Sequence, residues 1–183
     1  MTSPRLLAMA ACVLLAAPAS LRAQRSASIS VSGGVSAPMG RLGDATDLGY
    51  TVAAGVNVGG RSTPIGLRFE GAFNSFGYKR LNNSSVSGDI RILAGTANAV
   101  YNFSRAADSP YLIGGLGVYN RKVSAGTVSS DALTRAGING GGGLRFPLSG
   151  LSTFFEARYH VMFNDDRDGT NYQFIPITFG ITF

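Results

Sequence analysis

Charged residues occur inside segments that otherwise alternate apolar with small side chains, and five of them lie on the face opposite large apolar residues. Arg68 and Glu70 are two residues apart, Glu156 and Arg158 are also two residues apart, and Arg145 stands alone. In a β-strand, residues i and i+2 point to the same face, so each pair shares a face while the apolar residue between its members points the other way. This pattern predicts a polar interior behind an apolar exterior. Because unpaired charges in a low-dielectric interior cost several kcal/mol each, we expect these residues to form an ion-pair cluster.

His160 is the only histidine of the chain, and its position places it on the same strand face as Glu156 and Arg158. A histidine acts as a general base when a nucleophile lies within hydrogen-bond reach. Some small membrane barrels hydrolyse acyl chains of lipid A with a histidine, a serine and an acidic residue, at a site that faces the lipid. Here no serine lies two residues beyond His160. The alternation of the segment also predicts that the His160 side chain points inward. We therefore interpret His160 as a hydrogen-bonded interior side chain.

Two further motifs have the composition of ligand sites but not their spacing. Residues 164–169 resemble the first half of a calcium loop, yet Ile175 occupies the position of its bidentate glutamate. The glycines at 140–143 match neither a P-loop nor a Rossmann fingerprint. Glycines in a small barrel serve more simply to make room for larger neighbours. The sequence therefore predicts no metal ion and no cofactor.

Eight segments of about ten residues show the same alternation, which is the signature of a transmembrane β-barrel. Three connections between them are short, and four are longer and polar, which is the typical division between the periplasmic and the outer side of such a barrel. The segments cover residues 27–35, 50–59, 65–76, 90–103, 111–121, 133–146, 153–163 and 175–183.

Both ends of the chain fit the same location. Residues 1–23 have the layout of a secretory signal peptide, with Arg5, a 12-residue apolar stretch too short to span a bilayer as a helix, and small residues before a cut after Ala23. At the other end, Phe179, Ile181 and Phe183 share one strand face, and the last ring is on the last residue. This ending resembles the terminal-Phe assembly signal of bacterial outer-membrane barrels.

The net charge of +6 falls to +4 without Arg5 and Arg22. The remaining basic residues are scattered singly, apart from pairs at 79–80 and 121–122, and they form no stripe with interleaved aromatic residues. Solvated loop charge, or contact with anionic lipopolysaccharide, is therefore favoured over nucleic-acid binding.

Together, the signal peptide, the eight alternating segments and the terminal phenylalanine resemble the small OmpA/OmpX-like family of outer-membrane β-barrels. The resemblance covers residues 24–183, which we expect to form one domain after a signal peptide over residues 1–23. It implies an all-β fold, an eight-stranded antiparallel up-and-down transmembrane β-barrel in the bacterial outer membrane. It implies no particular activity.

Two details of the pattern lead to further expectations. In the fourth segment, Ile90 and Ile92 are out of phase with the later apolar residues, which predicts a bulge near Leu93. The aromatic residues near predicted strand ends should face outward and anchor the barrel at the membrane interface. These residues are Phe69, Tyr101, Phe103, Tyr111, Phe146, Phe155, Phe179 and Phe183.

The predicted function is not enzymatic. We expect a monomeric structural or surface-interaction protein that contacts outer-membrane lipid and lipopolysaccharide, and whose C-terminal strand is recognised by the barrel assembly machinery. Because an eight-stranded barrel is narrow enough for side chains to fill it, we interpret the ion-pair cluster as a plug. The alternatives are a narrow channel or lateral path for small molecules, and a lipid A modifying hydrolase that uses His160. A soluble lipocalin-type barrel would need an apolar interior, and the charges opposite Phe69 and Phe155 argue against it.

Overall fold

Eight long strands form from the eight alternating segments in the computed structural model of the chain, which describes residues 27–59, 64–78, 88–104, 106–125, 128–129, 132–163 and 171–183. The predicted signal peptide and the Asp-rich segment 164–169 lie outside these residues. The strands are β1 (Ala27–Met39), β2 (Gly49–Val58), β3 (Ile65–Gly77), β4 (Gly88–Asn102), β5 (Ser109–Ala125), β6 (Leu133–Leu148), β7 (Leu151–Met162) and β8 (Tyr172–Thr182).

Two short elements accompany the strands. Helix α1 (Gly40–Ala45) follows β1, and the two-residue strand Val128–Ser129 pairs with the end of β5. None of the helices in the described part of the chain is long and apolar enough to cross a membrane.

The sheet closes on itself. Each long strand pairs antiparallel with the next, and β1 also pairs with β8, from Ser30 opposite Thr182 to Met39 opposite Gln173. The seam extends to the last residue, because the amides of Ile29 and Phe183 donate hydrogen bonds to each other's carbonyl oxygens at 3.1 and 2.8 Å. Closure leaves no long strand with an unpaired edge. The predicted eight-stranded antiparallel up-and-down barrel is confirmed.

The two ends of the barrel differ. At one end, here called the turn end, the strands are joined by the short connections at 59–64, 103–108 and 149–150. At the other, the loop end, the connections are longer and one of them contains α1. Ala27 and Phe183 both lie at the turn end, because β1 starts there and β8 ends there.

Side chains alternate between the two faces of the wall, as the period of a strand requires. The outward side chains are apolar and exposed, among them Leu67, Phe69, Leu93, Leu116, Phe155 and Phe179. The inward side chains at mid-height are buried and polar, among them Ser30, Thr51, Arg68, Glu70, Asn98, Glu156 and Arg158. This is the reverse of a lipocalin-type barrel, which encloses an apolar interior.

A cluster of apolar side chains lies in the lumen at each end. At the loop end, Leu42 of α1 is fully buried in a cluster with Phe76, Phe174 and Met162. At the turn end, a smaller cluster is formed by Val100, Tyr111, Ile113 and Phe154. The lumen therefore has three layers, with the polar one between two apolar ones.

The structure corrects two expectations about phase. The β3–β4 register is continuous from Ile65 opposite Tyr101 to Gly77 opposite Asp89, so the bulge predicted near Leu93 is wrong. Ile90 and Ile92 face inward, with 4% and 0% exposure, because the loop end of the lumen is apolar.

The prediction of Tyr111 as an outward anchor is wrong, because this residue lies inside the barrel with 1% exposure. It belongs to the apolar cluster at the turn end, and its hydroxyl has an interior partner described below. The ring of Tyr111 can face the lumen because the turn end of the lumen contains an apolar cluster.

The seam yields a prediction about assembly. Deleting Phe183 removes both terminal hydrogen bonds to Ile29 and a ring that is 70% exposed on the outside. We expect much less of the folded, heat-modifiable form in outer-membrane fractions on unboiled gels. Phe103→Ala is the matched control, because it removes an exposed ring at the same end without touching the seam. Equal folded fractions for both variants would contradict a role of the terminal residue in assembly.

Candidate functional site in the barrel lumen

The middle layer of the lumen contains four buried charges from two strands. Arg68 and Glu70 project from β3, and Glu156 and Arg158 project from β7. In a ring of eight strands β3 and β7 are four apart, so these strands lie opposite each other across the lumen. Consecutive inward positions on each strand therefore present one positive and one negative group to the facing strand.

Ion pairs join all four groups. The Nη1 atom of Arg68 lies 2.7 Å from Oε2 of Glu156, and Nε of Arg158 lies 2.8 Å from Oε1 of the same carboxylate. Arg158 also pairs with Glu70 through Nη2, and Arg68 Nη1 lies 3.9 Å from Glu70 Oε2. The side chains are at most 6% exposed. The two positive and two negative charges balance, which offsets the cost of removing them from water.

Uncharged groups make further hydrogen bonds to the charged side chains of the cluster. The Tyr111 hydroxyl donates to Glu156 Oε2 at 2.6 Å, and Arg68 Nε donates to Asn57 Oδ1 at 2.8 Å. The Arg68 guanidinium also lies over the rings of Phe154 and Tyr111, with 5.2 and 5.7 Å from its carbon to the ring centroids. The cluster thus rests directly on the apolar layer of the turn end.

Glycines of β6 leave room for the large side chains of the cluster. Gly141 and Gly143 are opposite Arg158 and Glu156 in the β6–β7 register. A Cβ atom at Gly143 would lie 2.5 Å from the Tyr111 hydroxyl oxygen, and one at Gly141 would lie 2.9 Å from Cγ of Arg158. Both distances are shorter than ordinary contacts, and backbone carbonyl oxygens of β7 lie about as near or nearer, so a side chain at either position would displace β7 as well as members of the cluster.

Arg145 does not join the four paired charges. It faces the turn end of the lumen, where its Nη1 donates to Asn102 Oδ1 at 2.8 Å and its guanidinium lies 5.1 Å from the Tyr111 ring centroid. The structure thus brings together four of the five predicted residues. Tyr111 and Asn57 are members that the sequence analysis missed. The alternating phase of β2 would have revealed Asn57, whereas the glycines of β5 obscure the phase around Tyr111.

His160 lies inside the barrel, one inward position beyond Arg158, with 3% exposure. Its Nδ1 atom is 3.0 Å from the Tyr119 hydroxyl, and its ring stacks on Phe174 with centroids 4.9 Å apart. Among the described residues, no serine hydroxyl lies within hydrogen-bond distance of His160. The histidine therefore bridges the charged layer and the apolar layer of the loop end, away from the lipid-facing surface.

No group of three or more histidine, cysteine, aspartate or glutamate side chains that could hold a metal ion occurs in the part of the chain that the structure describes.

Comparison with known proteins identifies the family. The model of the outer membrane protein beta-barrel domain matches residues 6–183. The chain belongs to this family. It is therefore a β-barrel protein of the bacterial outer membrane, and the apolar outer wall is the surface that faces lipid.

Solved structures show the same fold. Neisserial surface protein A (NspA) superimposes with a TM-score of 0.64 at 16% identity, over 86% of this chain and 97% of that chain. The outer membrane protein Ail of Yersinia pestis, solved in a phospholipid bilayer nanodisc, gives a TM-score of 0.52 at 18% identity, over 86% of this chain and 100% of that one. None of the curated proteins compared with the chain matches it.

The charged layer yields a prediction about stability. Glu156→Gln keeps the side-chain shape but leaves Arg68 and Arg158 without their shared carboxylate. We expect the free energy of unfolding to fall by about 3–5 kcal/mol, the usual effect of breaking a buried ion pair. Reversible urea unfolding in lipid vesicles measures this free energy. Circular dichroism follows the transition, because the chain contains no tryptophan for fluorescence detection.

Asp89→Asn is the matched control, because Asp89 pairs with Arg91 at the outside of the barrel, where the arginine side chain is 55% exposed. Its loss should cost less than about 1 kcal/mol. Equal losses for the two variants would show that burial does not distinguish the lumenal pairs.

Proposed function

We propose that this protein is a non-enzymatic outer-membrane barrel with a structural or surface-interaction role, and that its lumen is plugged. The observation that carries the proposal is the cross-lumen cluster of Arg68, Glu70, Glu156 and Arg158, which joins opposite walls at mid-height. A hydrated ion path would have to separate these pairs. The apolar layers on either side add two further barriers, and Leu42 of α1 closes the one at the loop end.

The position of His160 supports the non-enzymatic proposal. A hydrolase of lipid acyl chains needs its general base within reach of a nucleophile and of the lipid. His160 instead faces the lumen, where Tyr119 and Phe174 occupy its surroundings. The barrel wall separates it from lipid.

A combined experiment tests this proposal against its two alternatives. We expect the purified, folded barrel to give no conductance steps in planar bilayers, because the plug leaves no continuous aqueous path. We also expect identical lipid A mass spectra from cells with and without the protein. Reproducible conductance steps would support the channel alternative instead. Altered acylation that disappears in His160→Phe would support the hydrolase.

We further propose that the loop end faces the outside of the cell and contacts lipopolysaccharide. Arg91 and Lys122 support this contact, because they are directly opposite each other in the β4–β5 register and both are exposed on the outside at the loop end. Like charges placed directly opposite repel each other. Asp89 pairs with Arg91 and offsets one of the two charges. A lipid phosphate next to Lys122 would balance the second and would lie just above the apolar wall that begins with Leu93.

Lys122→Gln tests this contact. We expect the variant to retain less lipopolysaccharide than the wild type after purification in mild detergent, as measured by phosphate content and native mass spectrometry. Arg41→Gln is the control, since it removes one exposed charge from α1, which packs against β1 and β8 at the same end of the barrel. Retention that falls equally in both variants, or in neither, would contradict a specific site at Lys122.

For the C-terminal strand, we propose recognition by the barrel assembly machinery through Phe179, Ile181 and Phe183. The support is their place at the seam, where Phe179 is opposite Gly33 and Ile181 is opposite Val31 on β1. In this proposal, the residues of the strand that pairs with β1 to close the barrel are also the residues that the assembly machinery recognises.

A further inference from the structure

A small cavity lies in the lumen between the charged layer and the apolar layer of the loop end. Its volume is about 10 Å³, and four of the polar residues that line it are Glu70, Asn74, Arg158 and His160. The lining comes from β2, β3, β7 and β8, so the cavity touches both of the strands that carry the ion pairs. This volume is near the lower limit of the space that one water molecule needs.

Three buried polar atoms belong to residues that line this cavity and have no hydrogen-bond partner among the described residues. They are Oδ1 of Asn74, Nη1 of Arg158 and Nε2 of His160. The three residues are 1%, 5% and 3% exposed. A buried donor or acceptor without a partner costs a large part of its solvation energy, so such atoms are rare unless something binds them. Here three of them belong to residues that line one cavity.

The imidazole tautomer of His160 decides which atoms donate. The Tyr119 hydroxyl lies 3.0 Å from His160 Nδ1, and among the described residues this nitrogen is the acceptor within its reach. If the hydroxyl donates to Nδ1, both groups are satisfied, and the imidazole proton must be on Nε2. His160 Nε2 and Arg158 Nη1 are then donors, and Asn74 Oδ1 is an acceptor.

We propose that this cavity binds one water molecule that accepts from Arg158 Nη1 and His160 Nε2 and donates to Asn74 Oδ1 and the Glu70 carboxylate. A water molecule has two acceptor sites and two donor protons, so this arrangement uses its full capacity. Two donors and two acceptors around a water-sized space are the usual surroundings of a structural water. The bound water extends the polar layer by connecting Asn74 of β3 to Arg158 and His160 of β7 across the lumen.

Nuclear magnetic resonance of the barrel in lipid nanodiscs tests the proposal, with bound water itself as the probe. Because His160 is the only histidine, the imidazole nitrogen signals need no further assignment. We expect a protonated Nε2, an unprotonated Nδ1, and magnetisation transfer from water to the Nε2 proton. A protonated Nδ1, or an Nε2 proton without water contact in the wild type, would overturn the proposal.

Asn74→Leu removes the proposed acceptor of the bound water, and we expect the water contact of the Nε2 proton to be lost. Asn120→Leu is the matched control, because its amide binds Thr134 outside the cavity. The contact should persist in this variant. Persistence of the contact in Asn74→Leu would overturn the assignment of Asn74 as the water's partner.

A crystal structure at high resolution provides a second measurement that does not depend on any variant. Electron density for one water within about 2.7–3.2 Å of Asn74 Oδ1, Arg158 Nη1 and His160 Nε2 is expected. An empty cavity in such a map would overturn the proposal, whatever the outcome of the conductance and lipid experiments.

Discussion

Four charges buried in the lumen constrain the rest of the structure. Arg68 and Glu156 approach to 2.7 Å from opposite walls, and each would be costly to bury without the other. To bring them together, the barrel must place β3 opposite β7 and hold both at the correct height. It must also leave space on the adjoining strand, which the glycines of β6 provide. Strand number, register and glycine positions are therefore linked through this one cluster.

The layers above and below the cluster follow from the same constraint. Water next to the ion pairs would weaken their mutual attraction, because the effective dielectric constant would rise. The apolar cluster at the turn end and the one around Leu42 at the loop end limit that access. We propose that a barrel with such a lumen acts through its outer surfaces. The exposed pair of Arg91 and Lys122 at the loop end supports this proposal.

The sequence predicted much of this because period-two alternation reports directly which face each residue occupies. The eight strands, their closure and the meeting of Arg68 and Glu70 with Glu156 and Arg158 all depend on that period. Alternation fails where both faces are apolar. Ile90 and Ile92 face an apolar layer of the lumen, so their hydrophobicity resembles that of lipid-facing residues although they point inward.

Other contacts could not be read from the pattern, because they depend on distances across the lumen. Tyr111 lies near glycines that obscure the alternation of β5. Its hydrogen bond to Glu156 depends on the distance between two strands, which the sequence pattern does not report. Arg145 has the inward phase of the cluster but lies nearer the turn end, where Asn102 is its partner. Depth along the barrel, and not the face alone, decides which charges meet.

A double-mutant cycle between Arg68 and Glu156 tests most directly whether charges from opposite walls stabilise each other. Arg68→Met, Glu156→Gln and the double variant would be unfolded reversibly with urea in lipid vesicles. The predicted result is a coupling energy of about 1–3 kcal/mol, with the double variant more stable than the sum of the single losses implies. Additive losses, within about 0.5 kcal/mol, would contradict the account.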